Sequence, residues 1–309
     1  MCYFSELNTF SHRPTSEARS NITLYTEHFN LRERPFSLSP DPDFLYWGPG
    51  HRSAFAMLEY GLMTRAPITL ITGEVGAGKT TLLHHLLRSL DEDTLVGMVA
   101  NTQGDRGEIL RWVMMALEQP AGPDEGYVDM FTRFQAFLIE QYAAGRRVVL
   151  ILDEAQNLGR EALEELRMFT NINSGKDELL QLVLVGQPEL RRMIMAPDLT
   201  QFAQRVSASF HLKAMDEQAV SAYIGHRLKV AGAHRPIFTE AACKAVFKAT
   251  GGVPRLVNKL CDIAMVYAFT SDSLEVDEDT VHQVIDDGLL VGAPQPESEV
   301  LILDSKRRL

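Results

Sequence analysis

The chain has 309 residues, 45% of them hydrophobic, which suggests about two domains with a sizeable core and excludes a wholly disordered polymer. A formal net charge of −11 excludes a surface that grips nucleic acid throughout, although it leaves room for a local basic patch. Three cysteines, Cys2, Cys243 and Cys261, have no metal-binding or redox spacing and suit a reducing cytoplasm.

Residues 1–24 are polar and aperiodic and are expected to form a flexible extension. The opening Met1-Cys2-Tyr3-Phe4-Ser5-Glu6 has neither a basic n-region nor an apolar core, so no signal peptide is expected. Between Phe29 and Tyr46, Pro35, Pro40 and Pro42 forbid a long helix, while the aromatic residues need something to pack against. Residues 51–63 read as a helix. Pro67-Ile68-Thr69-Leu70-Ile71-Thr72 is the short apolar run of a buried parallel strand.

That strand leads into Gly73-Glu74-Val75-Gly76-Ala77-Gly78-Lys79-Thr80, the G-x-x-x-x-G-K-T phosphate-binding loop. Its glycines let the backbone fold tightly and aim N–H groups at phosphates, and Lys79 reaches the β- and γ-phosphates. Thr80 offers a hydroxyl to Mg²⁺, and Thr81 opens a leucine-periodic helix over 81–90 whose positive dipole end faces the same anion. Strand, glycine loop and helix together predict a nucleoside triphosphate site.

Strands follow at 94–100, 148–152, 179–185 and 208–212, with helices at 107–118, 128–143 and 161–171. This alternation predicts an α/β domain with a mainly parallel sheet covered on both faces. After Met215 the strands stop, and 216–231, 239–250, 254–269 and 277–288 read as helices. Asp216, Thr239 and Asp277 are candidate N-caps, and Gly251-Gly252 is a stop signal. The division expected is an extension over 1–24, a nucleotide-binding domain over 25–215, a helical domain over 216–290 and a loose tail over 291–309. No apolar run approaches the length of a membrane-spanning helix.

The strand over 148–152 ends in Asp153-Glu154, where Asp153 is placed to hold Mg²⁺ and Glu154 to orient or deprotonate a water. Solvated acids capping the next helix are the competing reading. Gln187, after the strand over 179–185, is placed to touch the γ-phosphate or the attacking water, and a helix-start turn with Pro188 is compatible with that role. Arg205 and Arg255 stand apart from the ordinary charged surface. Arg255 opposes the dipole at a helix start, which a phosphate partner would explain, while a surface salt bridge explains either arginine equally well. His84-His85 read as helix-surface residues, Met114-Met115 and Met193/Met195 as core or helix-packing residues, and Arg146-Arg147 and Arg191-Arg192 as too short for a nucleic-acid groove.

Over residues 25–289 the chain resembles the AAA+ ATPases of the ExeA-type general secretion pathway family. The resemblance is carried by Arg34-Pro35-Phe36-Ser37-Leu38, the phosphate loop, Leu152-Asp153-Glu154-Ala155-Gln156, Gly186-Gln187-Pro188-Glu189-Leu190 and Gly251–Asn258. Asn101-Thr102 and Leu110-Arg111-Trp112-Val113 resemble the cytosolic ATPases found with exosortase and exopolysaccharide (PEP-CTERM) systems. The resemblance implies a five-stranded α/β P-loop core with a C-terminal helical lid, and ATP rather than GTP. It implies Gln187 as sensor 1, Arg255 as sensor 2 and Arg205 as an arginine finger acting on a neighbour's nucleotide in a homo-oligomeric ring or filament. Only a short polar tail follows the lid, so a protein client of the envelope export machinery is expected, with no direct membrane insertion.

The leading functional expectation is a cytoplasmic ATPase, able to sit peripherally at the inner membrane through a partner, that couples Mg-ATP hydrolysis to assembly and client remodelling. A DNA-binding regulator of the transposition AAA+ type is the alternative; the acidic balance and the lack of a helix-turn-helix after the lid weigh against it. A nucleotide-gated scaffold with negligible hydrolysis is a third reading, opposed by Glu154 and Arg205.

Overall fold

The computed structural model describes residues 25–100, 108–122 and 125–290. The extension over 1–24, the tail over 291–309 and the Asn101-Thr102 feature lie outside the described residues. Two compact units are formed, one by Ser39–Ala219 with Gly252–Arg255, the other by residues 25–38, Val220–Gly251 and 256–290.

The first unit is built on a five-stranded parallel sheet of β1 (Ile68–Gly73), β2 (Thr94–Val99), β3 (Arg147–Leu152), β6 (Leu180–Gly186) and β7 (Val206–Leu212), in the order β2-β3-β6-β1-β7. A small hairpin, β4 (Asn173–Ser174) and β5 (Asp177–Glu178), precedes β6 and was not expected from the hydrophobic pattern, because its strands are two residues long and polar. Central β1 and β6 are buried at every position, while the edges β2 and β7 are only partly covered. That is why the central strands read as unbroken apolar runs.

Side chains alternate across the sheet. Leu150, Leu152, Leu182 and Leu184 enter a core shared with Leu110, Phe134 and Leu166. Val149, Ile151, Val183 and Val185 pack on the other face against Leu58, Leu82 and Leu86. The two faces are covered by helices α1 (Pro49–Met63), α2 (Lys79–Ser89), α3 (Glu108–Ala116), α4 (Tyr127–Ala143), α5 (Arg160–Phe169), α6 (Pro188–Ile194) and α7 (Thr200–Ala203). His85 is half-buried with its ring against Trp47 and Phe55, not on a free helix surface. Met114 is a core residue as expected, whereas Met115 and Met195 are exposed.

The second unit carries α8 (Glu217–Val230), α9 (Glu240–Thr250), α10 (Pro254–Thr270) and α11 (Glu278–Asp286), with the first turns of α8 and α10 counted in the first unit. The caps act as the sequence suggests. Thr239 accepts from the Ala242 N–H, Asp277 from the Thr280 N–H and Asp216 from the Ala219 N–H.

Residues 25–38 depart from the expected division, because they pack with the helices and not with the sheet. The physical reason is a set of bonds that a strand count cannot foresee. Tyr25 and Arg34 both bond the carboxylate of Asp262, and the Arg227 guanidinium donates to the Pro35 carbonyl at 2.5 Å and the Ser37 carbonyl at 3.4 Å. Phe36 sits edge-on to Phe238. The second departure concerns residues 252–255, including Arg255, which belong to the sheet unit and not to the helical one.

Candidate active site

The phosphate loop leaves the carboxyl end of β1, where strands of a parallel sheet deliver their following residues to one rim. Gly76 and Gly78 take φ of 78° and 92°, and Gly78 is the N-cap of α2. Gly76 is also a point of close approach. A Cβ there would lie 2.4 Å from Cβ of Arg255, whose backbone N–H donates to the Gly76 carbonyl at 3.2 Å. Arg255 is thus anchored on the loop through its main chain, with an exposed side chain beside it.

Lys79 is buried and its Nζ donates to the carbonyls of Gly73 at 2.7 Å and Glu74 at 2.9 Å. Burial lowers its pKa, opposed by the negative charges of Glu154, Asp153, Glu74 and Glu189. Glu74 and Val75 are exposed at the tip of the loop, Ala77 is buried, and Thr81 is half-buried in the first turn of α2. The loop is supported by two histidines that lie outside the phosphate-loop motif. His51 Nε2 lies 3.1 Å from the Ala77 carbonyl, and His211 Nδ1 lies 3.0 Å from Thr72 Oγ1. Burial pushes the His51 imidazole below its ordinary pKa.

Thr80 Oγ1 donates to Asp153 Oδ2 at 3.1 Å, so the hydroxyl and the carboxylate assigned to Mg²⁺ meet directly. Two adjacent oxygens in a buried setting fit a hard cation that takes its remaining ligands from phosphate and water. Burial raises the pKa of Asp153, against the lowering effect of the Glu154 N–H at 2.9 Å and the Thr80 hydroxyl. A neighbouring cation would favour the ionised form.

Glu154, the second residue past β3, takes a left-handed backbone conformation, φ 53°. A non-glycine residue there stores on the order of 1 kcal/mol of strain, of the kind concentrated at functional sites. Its Oε2 accepts from Gln187 Nε2 at 3.3 Å and from Gln156 Nε2 at 2.5 Å. Gln187 is the N-cap of α6 with Pro188 in the first turn, so the turn reading and the site reading hold together: its side chain makes no capping bond and turns to Glu154 instead. Gln156 was not among the site candidates; its signals were its place two residues after the acidic pair and within the Leu152–Gln156 run that carries the family resemblance.

Arg205 lies elsewhere. It precedes Val206, which pairs with Ile68 at the start of β1, whereas the phosphate loop begins at Gly73, five residues further along. At about 3.3 Å per residue the two ends are roughly 16 Å apart. The guanidinium donates to the Thr170 carbonyl at 3.1 Å and to Asn171 Oδ1, and lies 3.8 Å from Glu178. The sheet thus gathers Lys79, Thr80, Asp153, Glu154, Gln187 and Arg255 on one rim and places Arg205 at the other.

Residues 63–194 match the protein family described as "AAA domain". The chain is similar to general secretion pathway protein A of Aeromonas hydrophila, with 41% identity over 253 residues, 82% of this chain and 46% of that protein. The chain therefore spans about half the length of that relative. Among solved structures it is similar in fold to the ORC2 protein of Aeropyrum pernix, with TM-score 0.61, 18% identity, and 86% and 73% of the two chains covered. Cdc6p of Pyrobaculum aerophilum matches comparably, with TM-score 0.61, 15% identity, and 87% and 74% covered. Among the described residues no helix is long and apolar enough to cross a membrane.

Proposed function

From the premise that this chain is an AAA+ ATPase carrying an AAA domain over residues 63–194, we propose that it hydrolyses Mg-ATP at the carboxyl rim of its sheet. The observation that carries this reading is the direct meeting of Thr80 with Asp153 beside a Glu154 held by Gln187. The loop N–H groups and Lys79 bind the phosphates, and Thr80 and Asp153 would hold Mg²⁺, which would supply positive charge to offset that of the phosphates. Glu154 accepts the proton of a water as its oxygen bonds to the γ-phosphorus and the bond to the β,γ-bridging oxygen breaks.

Arg205 sits too far along the strand direction to serve its own chain's nucleotide, which supports a role on the nucleotide of a second copy. The working form is accordingly a homo-oligomeric ring or filament assembled on ATP, and Arg255 senses the γ-phosphate from its seat on Gly76. Kinship with general secretion pathway protein A supports a client in an envelope export machinery, and the motif resemblance narrows this to exopolysaccharide or exosortase-linked systems. The protein works in the cytoplasm or peripherally at the inner membrane through that partner.

The test is Glu154→Gln at saturating Mg-ATP. Nucleotide binding and assembly, followed by light scattering, are expected to persist while turnover falls by about 10²–10⁴-fold. Turnover at the wild-type rate would sink the assignment of Glu154.

A further inference from the structure

We infer that Gln156 is a positioning residue of the hydrolytic site, fixing which carboxylate oxygen of Glu154 faces the attacking water. The inference rests on the reading of Glu154 as the base.

The Gln156 side chain bridges two groups of opposite hydrogen-bonding character. Its Oε1 accepts from the backbone N–H of Gln187 at 2.9 Å, and its Nε2 donates to Glu154 Oε2 at 2.5 Å. A backbone N–H can only donate, so the oxygen end of the amide must face Gln187 and the NH₂ end must face the carboxylate. The orientation of this amide is determined by chemistry alone. Gln187 Nε2 donates to the same carboxylate oxygen at 3.3 Å. Two amides thus occupy Oε2 of Glu154, and among the described residues none donates to Oε1, which is left to take a proton from water.

Gly186 supplies an independent observation. Its φ is not positive, so backbone conformation does not require glycine. Space does: a Cβ at this position would lie 2.8 Å from Gln156 Oε1 and 2.8 Å from a methyl of Leu190. The glycine at the end of β6 admits the Gln156 amide. Because one amide ties Glu154 to the first residue after β6, a shift of that strand end moves the base with it. A glutamine also differs here from an acid in a way that can be measured. It donates to the carboxylate, whereas a glutamate would set a second negative charge against it, in a site already holding Asp153 and balanced by Lys79.

The experiment measures kcat and KM for Gln156→Glu, Gln156→Ala and wild type. The full chain is used with Mg-ATP, at concentrations where turnover per subunit no longer rises. Gln156→Glu preserves size and the bond from Gln187 but loses the donor to Glu154, and is expected to lower kcat by at least about tenfold with KM nearly unchanged. Gln156→Ala is expected to lower kcat by about tenfold, also with KM nearly unchanged. Wild-type kcat in both variants, or a KM that rises as kcat falls, would overturn the role of Gln156. Glu154→Gln in parallel separates the two readings: if it turns over like wild type, the base assignment fails, whereas an inactive Glu154→Gln beside unaltered Gln156 variants overturns only the positioning role.

Discussion

The two rims of the sheet treat their polar residues differently. At the carboxyl rim the polar side chains bond mainly to one another: Thr80 to Asp153, Gln187 and Gln156 to Glu154. At the amino rim Arg205 bonds to framework groups, the Thr170 carbonyl at the end of α5 and Asn171 before the β4–β5 hairpin, with Glu178 close by. A network whose members bond one another is complete within one chain. Arg205, held by one backbone carbonyl, an asparagine side chain and the nearby Glu178, has no bond to that network. Parallel β-structure sets the separation, because each strand carries its two ends to opposite rims.

The largest expected effect that would break this contrast comes from Arg205→Ala. An arginine acting across subunits is worth about 10³–10⁵ in turnover, so the variant should bind nucleotide normally and be nearly inactive. Lys79→Ala should instead weaken nucleotide binding itself, by roughly 10–100-fold for the loss of a charge-assisted donor. Mixing the two inactive proteins sharpens the point. If the rims act in different chains, mixed assemblies pair an intact phosphate loop with an intact Arg205 and recover turnover. No recovery at any ratio would place both functions in one chain.

A smaller effect is expected at Glu178. Burial raises its pKa, Arg205 lowers it less, and its Oε2 is buried without a hydrogen-bond partner among the described residues. Glu178→Gln should leave nucleotide affinity unchanged and alter stability by at most about 1 kcal/mol, since the ion pair is loose and partly exposed. A matching loss of nucleotide affinity, measured by titration, would show that the rims are coupled within one chain.

The smallest effect concerns pH. His51 is held neutral under the phosphate loop by burial, so its folded pKa lies below the unfolded one. Its contribution to stability is present above about pH 6.5 and is lost as the pH falls through the lowered folded value. Asp153 works in the opposite sense, since burial raises its folded pKa and acid relieves the cost of its charge. Between pH 8 and pH 5, on the order of the ordinary imidazole range, wild type should therefore lose thermal stability relative to His51→Gln. Parallel melting curves across that range would exclude His51 as the source.

Much of this was legible in the residues, for local reasons. The phosphate loop needs glycines, a lysine and a threonine at consecutive positions, and buried parallel strands need unbroken apolar runs such as Val148 to Leu152. The caps Thr239 and Asp277 reach only three residues ahead, so they too are readable along the chain. The residues that escaped are those whose partners are distant in sequence. Gln156 matters because Gln187, thirty-one positions later, offers its N–H. Residues 25–38 leave the sheet unit because Asp262 and Arg227 hold them. The hairpin over 173–178 carried only one local signal, the Ser174-Gly175 turn.

By itself the sequence determined the chemistry this protein can perform, because nucleotide binding depends on residue types at short fixed spacings. Which groups act together was decided only by the tertiary structure. The crossing of strands brought Glu154, Gln156 and Gln187 within hydrogen-bonding distance and carried Arg205 to the opposite rim. Spacing along a chain constrains neighbours, while distance across a sheet depends on the order and direction in which its strands pair.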